Sequence, residues 1–139
     1  MTDSPHEIVN PPTLLAPVGF SHAVVAGPGR TVHLGGQTGH RQDGSLPDGL
    51  VAQFDQAAAN VATALAATGA HAQHLVSMQV FVTSIQAYRA NLEPLGVSYR
   101  RHLGRHYPAM ALFEVSRLFD AAALVELVAV AVVPDHDQA

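Results

Sequence analysis

The sequence predicts an α+β fold in which a mixed sheet of four or more strands carries two helices on one face. Three observations lead there. Between Asp48 and Gly69, the residues Val51, Phe54, Ala58, Val61 and Leu65 recur at alternating steps of three and four, which lines one stripe of an amphipathic helix. From Leu75 to Thr83, Val76, Met78, Val80 and Val82 alternate with Ser77, Gln79, Phe81 and Thr83, the period of a strand. Leu124 to Val132 is an apolar run broken only by Glu126, as a strand buried on both faces requires.

Residues 1–17 contain four prolines among polar residues and show no period, which predicts an irregular N-terminal arm. A single domain is expected over residues 18–133, with 134–139 as a tail. Phe20 to Ala26 and Thr31 to Leu34 are short β-rich runs around Gly27-Pro28-Gly29-Arg30, whose turn chemistry predicts a hairpin. Gly35 and Gly36 close its second strand and mark a bulge or a place where something approaches the backbone closely. After a loop from His40 to Gly49, Asp48 is expected to cap the first helix, which runs to about Ala67 and stops at Gly69. The alanine, glutamine and asparagine of its outer face are assigned no chemistry. Ser84 caps a second helical region with Tyr88, Leu92, Leu95, Tyr99 and Leu103 in register, where Pro94 should kink or split it and Gly104 end it. Ala109 to Val115 and Leu124 to Val132 complete the order β-β-α-β-α-β-β. One sheet face stays uncovered, and apolar residues on both sides of the later strands predict that self-association covers it.

Composition narrows the chemistry. The chain has seven arginines, no lysine, no cysteine and a formal net charge of −4. Amine and thiolate nucleophiles, disulfides and thiolate metal sites are therefore excluded, and no broad basic face is available for nucleic acid. The opening residues lack a signal-peptide pattern, and the longest apolar run is interrupted by Glu126, so a cytoplasmic protein without membrane association is expected. The nine histidines include the pairs His71 with His74 and His102 with His106. Neither pair lies near a suitable carboxylate motif, so they read as surface groups, and no metal or cofactor is expected. No serine stands in a glycine-flanked elbow.

Glu126 is the most informative residue, because an ionised carboxylate inside an apolar strand needs hydrogen-bond donors, an arginine such as Arg117, or a raised pKa. Structural and functional readings carry equal weight at this level. Glu114, on the preceding strand, is expected to face solvent.

Several blocks then resemble a known family: Phe20-Ser21-His22-Ala23-Val24, Val32-His33-Leu34-Gly35-Gly36-Gln37, Val80-Phe81-Val82-Thr83, Tyr107-Pro108-Ala109 with Glu114-Val115 and Arg117-Leu118, and Val125-Glu126-Leu127 leading into Ala129-Val130-Ala131-Val132. Their order and spacing look like the RidA/YjgF enamine/imine deaminases. The resemblance implies a chorismate-mutase-like homotrimer with ligand clefts between subunits. In deaminating members an arginine after Pro-Ala grips the substrate carboxylate, and a glutamate on the last strand helps position the attacking water. Glu126 falls on that glutamate. Met110 occupies the arginine position, and Phe20 stands where many members have a tyrosine.

The resemblance thus implies Glu126 as the catalytic residue and a ligand wall of Phe20, Gly35, Gly36, Met110 and Leu112. Methionine offers no bidentate grip, so the expected ligand is a neutral imine, enamine or carbonyl compound, and 2-iminoacid deamination is expected to be weak or absent. Arg105 and Arg117 are the candidates to replace the lost charge. The alternatives are a non-catalytic binding or regulatory trimer and, as a lesser one, a ribonuclease or translation inhibitor.

Overall fold

The amphipathic stripe forms the longest helix. In the computed structural model, which describes residues 4–135, helix α1 (Leu50–Ala67) buries Leu50, Phe54, Ala57, Ala58, Val61 and Leu65. Its N-cap is Gly49, at φ +87, and not Asp48. The left-handed turn that only glycine adopts cheaply starts the helix one residue later and leaves Asp48 outside it.

Strands β1 (Glu7–Val9) and β2 (Ala23–Val25) form a two-stranded antiparallel sheet. The main sheet contains β3 (Gly29–His33), β4 (Gln37–Thr38), β5 (Leu75–Val82), β6 (Ala109–Glu114) and β7 (Val125–Pro134). Its order is β3-β7-β5-β6, with β4 also beside β7. The β5–β6 pair is parallel, and β7 is antiparallel to its neighbours.

The expected hairpin does not form. β2 pairs with β1 from the arm, and β3 pairs with β7 through Gly29↔Pro134 to His33↔Val130. Turn chemistry sets where the chain bends, whereas burial selects the strand it joins. The ten-residue β7 supplies a long, buried ladder, and Gly29 packs so closely that a Cβ would lie 2.2 Å from the Val133 carbonyl oxygen. The arm is likewise not irregular throughout, since it contributes β1. Of the expected tail, Pro134 belongs to β7, and residues 136–139 lie outside the described residues.

The second helical region divides into α2 (Ile85–Arg89) and α3 (Leu92–Leu103). Ser84 caps α2 by accepting from the Ala87 N–H, as expected. The break falls at Ala90 and Asn91, before Pro94, which sits in the first turn of α3 where its missing N–H is not needed. Leu95, Tyr99 and Leu103 of α3 join the α1 stripe over Leu75, Met78, Val80, Val82, Val125, Leu127 and Ala129 in one core. Both helices therefore cover the same sheet face. No helix of the described residues is long and apolar enough to cross a membrane.

Candidate functional site

Strand parity sorts the residues expected at the site into two groups. Met78 pairs with Met110 and with Ala129, and all three face the helices. Phe81, three residues on, pairs with Phe113 and with Glu126 and points the other way. Met110 and Leu112 thus lie on the helix-covered side, and Glu126 lies on the bare side. Within one chain the sheet separates the carboxylate from the apolar wall.

On the helix side, the segment from Val18 to Ser21 runs along the outer edge of β6. The Ser21 N–H donates to the Pro108 carbonyl at 3.0 Å, and its hydroxyl donates to the Tyr107 carbonyl at 2.6 Å. Between this segment, α2 and β6 lies a cavity of about 540 Å³ lined by Phe20, Tyr88, Arg89, Leu92, Met110 and Leu112. A second cavity, of about 490 Å³, adjoins it toward α3 and shares Tyr88, Leu92 and Met110, adding Tyr99, Arg100 and Tyr107. The Tyr99 and Tyr107 rings stack at 5.1 Å. Burial pushes the Tyr88 phenol above its usual pKa, so the hydroxyl stays a neutral donor.

Three of the six expected residues, Phe20, Met110 and Leu112, therefore share one cavity. The arginine on its wall is Arg89, not Arg105 or Arg117; Arg105 lines a neighbouring groove with Phe20 and His106. Arg89 was not legible in the sequence, because its place depends on the break between α2 and α3. Arg100 lies against Gly96, where a Cβ would be 3.1 Å from its Nη1.

On the bare side, the Gly35-Gly36 pair answers to both of its readings. The register gains one residue between His33↔Val130 and Gln37↔Leu127, which is a bulge. The group that approaches the backbone is the Glu126 carboxylate: a Cβ on Gly36 would lie 1.9 Å from its Oε2. Gly35 is exposed, with nothing within 4 Å of a Cβ there. Arg117 is exposed and forms no ion pair with Glu126 among the described residues. Glu126 is half-buried on the face that the helices leave bare. Beside it, Phe81 and Phe113 stack at 5.6 Å.

Glu114 is exposed, as expected, and accepts the Ile85 N–H at 2.9 Å, fixing the start of α2. The histidine pairs carry structural contacts. His74 Nδ1 accepts the His71 N–H, His102 meets Asp55 at 3.1 Å, and buried His106 donates through Nε2 to the Leu75 carbonyl. Among the described residues, no three histidine or acidic side chains converge on a point where a metal ion would bind.

The comparisons agree with this architecture. The sequence matches the family described as Endoribonuclease L-PSP over residues 12–133. The Rid-family protein YyfB from Yersinia pestis, itself of unknown function, is 30% identical, with a TM-score of 0.83 over 92% of this chain and 98% of that one. A YjgF-family member from Mycobacterium tuberculosis is 31% identical over 84% of this chain and 88% of that one, with a TM-score of 0.62. RidA from an Antarctic Psychrobacter is 26% identical over 86% and 92%, with a TM-score of 0.66. No curated protein matches the sequence. With its family match spanning both sheet edges and both predicted site groups, the chain belongs to the RidA/YjgF family.

Proposed function

We propose that this protein acts on a small imine, enamine or related carbonyl compound that lacks an α-carboxylate. Its cleft is shared between copies of a homotrimer, the Met110 cavity of one copy meeting Glu126 of the next. The observation that carries the reading is the cavity itself: Met110, between Phe20 and Leu112, occupies the strand position from which relatives would offer an arginine. Its flexible thioether favours an uncharged, apolar ligand body there. Arg89 lines the α2 end of the same wall, and its guanidinium would donate to a carbonyl oxygen or imine nitrogen of that ligand.

Glu126 orients the attacking water or takes part in proton transfer. Two features support that role: the space that Gly36 leaves for its carboxylate by lacking a Cβ, and, among the described residues, no ion pair that would occupy it. Self-association is supported by the aromatic and aliphatic bare face, where Phe113 is 44% exposed and stacked on Phe81.

Purified protein assayed against neutral imines and against 2-iminobutanoate should turn over the former and have little activity on the latter. Glu126→Gln should abolish turnover; unchanged activity would rule out the role. Met110→Arg should raise 2-iminobutanoate turnover, because the fork that binds a carboxylate is restored.

One observation favours a second reading, a non-catalytic binding or regulatory trimer: the cavity and Glu126 lie on opposite sheet faces of each chain. A ligand that raises Tm and is recovered unchanged would select it. With a net charge of −4 and no lysine, the chain offers little counter-charge for a ribonuclease role. Salt-sensitive RNA binding at micromolar protein would reverse that exclusion.

A further inference from the structure

The bare face holds a second polar feature that the RidA resemblance does not account for. Thr38, the last residue of β4, stands directly opposite Glu126 in the β4–β7 ladder. Directly paired residues point to the same face, with Cβ atoms about 4.5–5.5 Å apart. The Thr38 hydroxyl lies 2.5 Å from His40 Nδ1, and His40 Nε2 lies 2.9 Å from Asp120 Oδ2.

The proton order in this chain follows from its acidic end. The Ala122 N–H, donating to Oδ1 at 2.9 Å, and the His40 ring hold the Asp120 carboxyl below its usual pKa. An ionised carboxylate only accepts, so the neutral imidazole carries its proton on Nε2 and leaves the Nδ1 lone pair for the Thr38 O–H. The lone pairs of the hydroxyl oxygen remain for a group on the Glu126 side.

Helix α1 clamps both ends. Asn60 Nδ2 donates to the carbonyls of Thr38 and His40 at 3.0 and 2.9 Å. Gln53 Nε2 donates to the Ala122 carbonyl at 3.1 Å, and Gln53 Oε1 accepts the Leu124 N–H at 2.8 Å. Between Thr38 and His40, Gly39 lies so near the helix that a Cβ would sit 2.6 Å from the Gln53 carbonyl oxygen. Two buried-side residues of one helix therefore hold the hydroxyl, the imidazole and the carboxylate in line, the pre-organisation that a proton relay needs.

We propose that Thr38, His40 and Asp120 form a general-base relay for the water that Glu126 orients. This rests on the imine-hydrolysis reading above. As the water oxygen bonds to the imine carbon, the water proton passes to Thr38 Oγ1 and the Thr38 proton passes to His40 Nδ1. The C=N π pair moves to nitrogen, and the imidazolium is stabilised by Asp120. Return of the proton along the same path to that nitrogen gives a neutral carbinolamine; its C–N bond then breaks as the hydroxyl proton passes to the nitrogen, releasing the amine and leaving the carbonyl. Thr38 meets the water; His40 and Asp120 act through it as positioning residues.

The charged groups around His40 are Asp120, Glu126 across from Thr38, and Arg41, whose Nη1 is held by Ser45 in a turn with Asp43. In the full-length protein, 15N NMR should find His40 as the Nε2–H tautomer, and Asp120→Asn should weaken that tautomer preference. Against an imine the wild type turns over, Thr38→Val and His40→Gln should each lower kcat at least tenfold with KM little changed, while Thr38→Ser keeps most activity. Asp120→Asn should lower kcat with KM little changed. Full kcat in Thr38→Val and His40→Gln, with Glu126→Gln inactive, overturns the relay and leaves the Glu126 reading standing. No turnover of any imine by the wild type overturns both.

Discussion

The two faces of the sheet are made from alternate residues of the same strands, yet they are organised by different forces. On the helix side, Val125, Leu127, Ala129, Ala131 and Val133 of β7 are essentially inaccessible and pack beneath α1 and α3. On the bare side, Glu126, Val128 and Val130 stay half-buried beside the Phe81–Phe113 stack. Stability resides on the first face, while the second keeps a carboxylate, a hydroxyl and a hydrophobic surface available to another molecule. In a strand of period two, a carboxylate and its apolar neighbours need not compete for the same space.

The largest expected effect tests that division directly. Leu127→Ala should destabilise the protein by about 2–5 kcal/mol in urea denaturation, since it opens a cavity in the core. Val128→Ala, one residue away on the other face, should leave the unfolding of the isolated chain almost unchanged and weaken self-association instead. An equal loss for the two would remove the distinction.

Two glycines sharpen the comparison at the next level. Gly39→Ala forces a Cβ onto the Gln53 backbone and should cost about 1–3 kcal/mol. Gly36→Ala meets the tip of the Glu126 side chain, which can swing away, so Tm should fall little while activity is lost through the displaced carboxylate. A large Tm drop for Gly36→Ala would assign that glycine to folding alone.

A smaller change is expected from Phe113→Ser. Aromatic pairs contribute about 0.5–1.5 kcal/mol beyond burial, so the main consequence should be dissociation at low protein concentration, seen by analytical ultracentrifugation. The smallest is a pH effect on the helix side. Burial holds the His106 imidazole below its ordinary value of 6.5, so the folded ring resists a proton that the unfolded ring accepts. As pH falls through that value the unfolded state binds more protons, and stability declines. His106→Gln should flatten this part of the stability–pH curve.

Much of the architecture was legible in the sequence alone. The stripe from Val51 to Leu65 marked α1, the alternation from Leu75 marked β5, and the apolar run around Glu126 marked β7, because each pattern records a face that must be buried. Glu126 stood out for the same reason in reverse, as a charge where the pattern asks for none. The Gly35-Gly36 pair was also visible, though not what it makes room for.

Partnership was not legible. Gly27-Pro28-Gly29 announced a bend, yet β3 joins the buried strand β7 and β2 joins an exposed strand from the proline-rich arm, pairings with distant segments that turn chemistry does not encode. Gln53 and Asn60 looked like an inert outer face, but they clamp the segments that carry Thr38, His40 and Asp120. Arg89 acquires its place on the cavity wall only through the break between α2 and α3. By itself the sequence determined which residues belong inside and where the anomalous carboxylate sits, since periodicity is a local consequence of backbone geometry. Only the tertiary structure decided that Met110 and Glu126 occupy opposite faces, and that a threonine, a histidine and an aspartate separated by up to 82 positions line up beside the carboxylate. Those are meetings between distant segments, which no local period encodes.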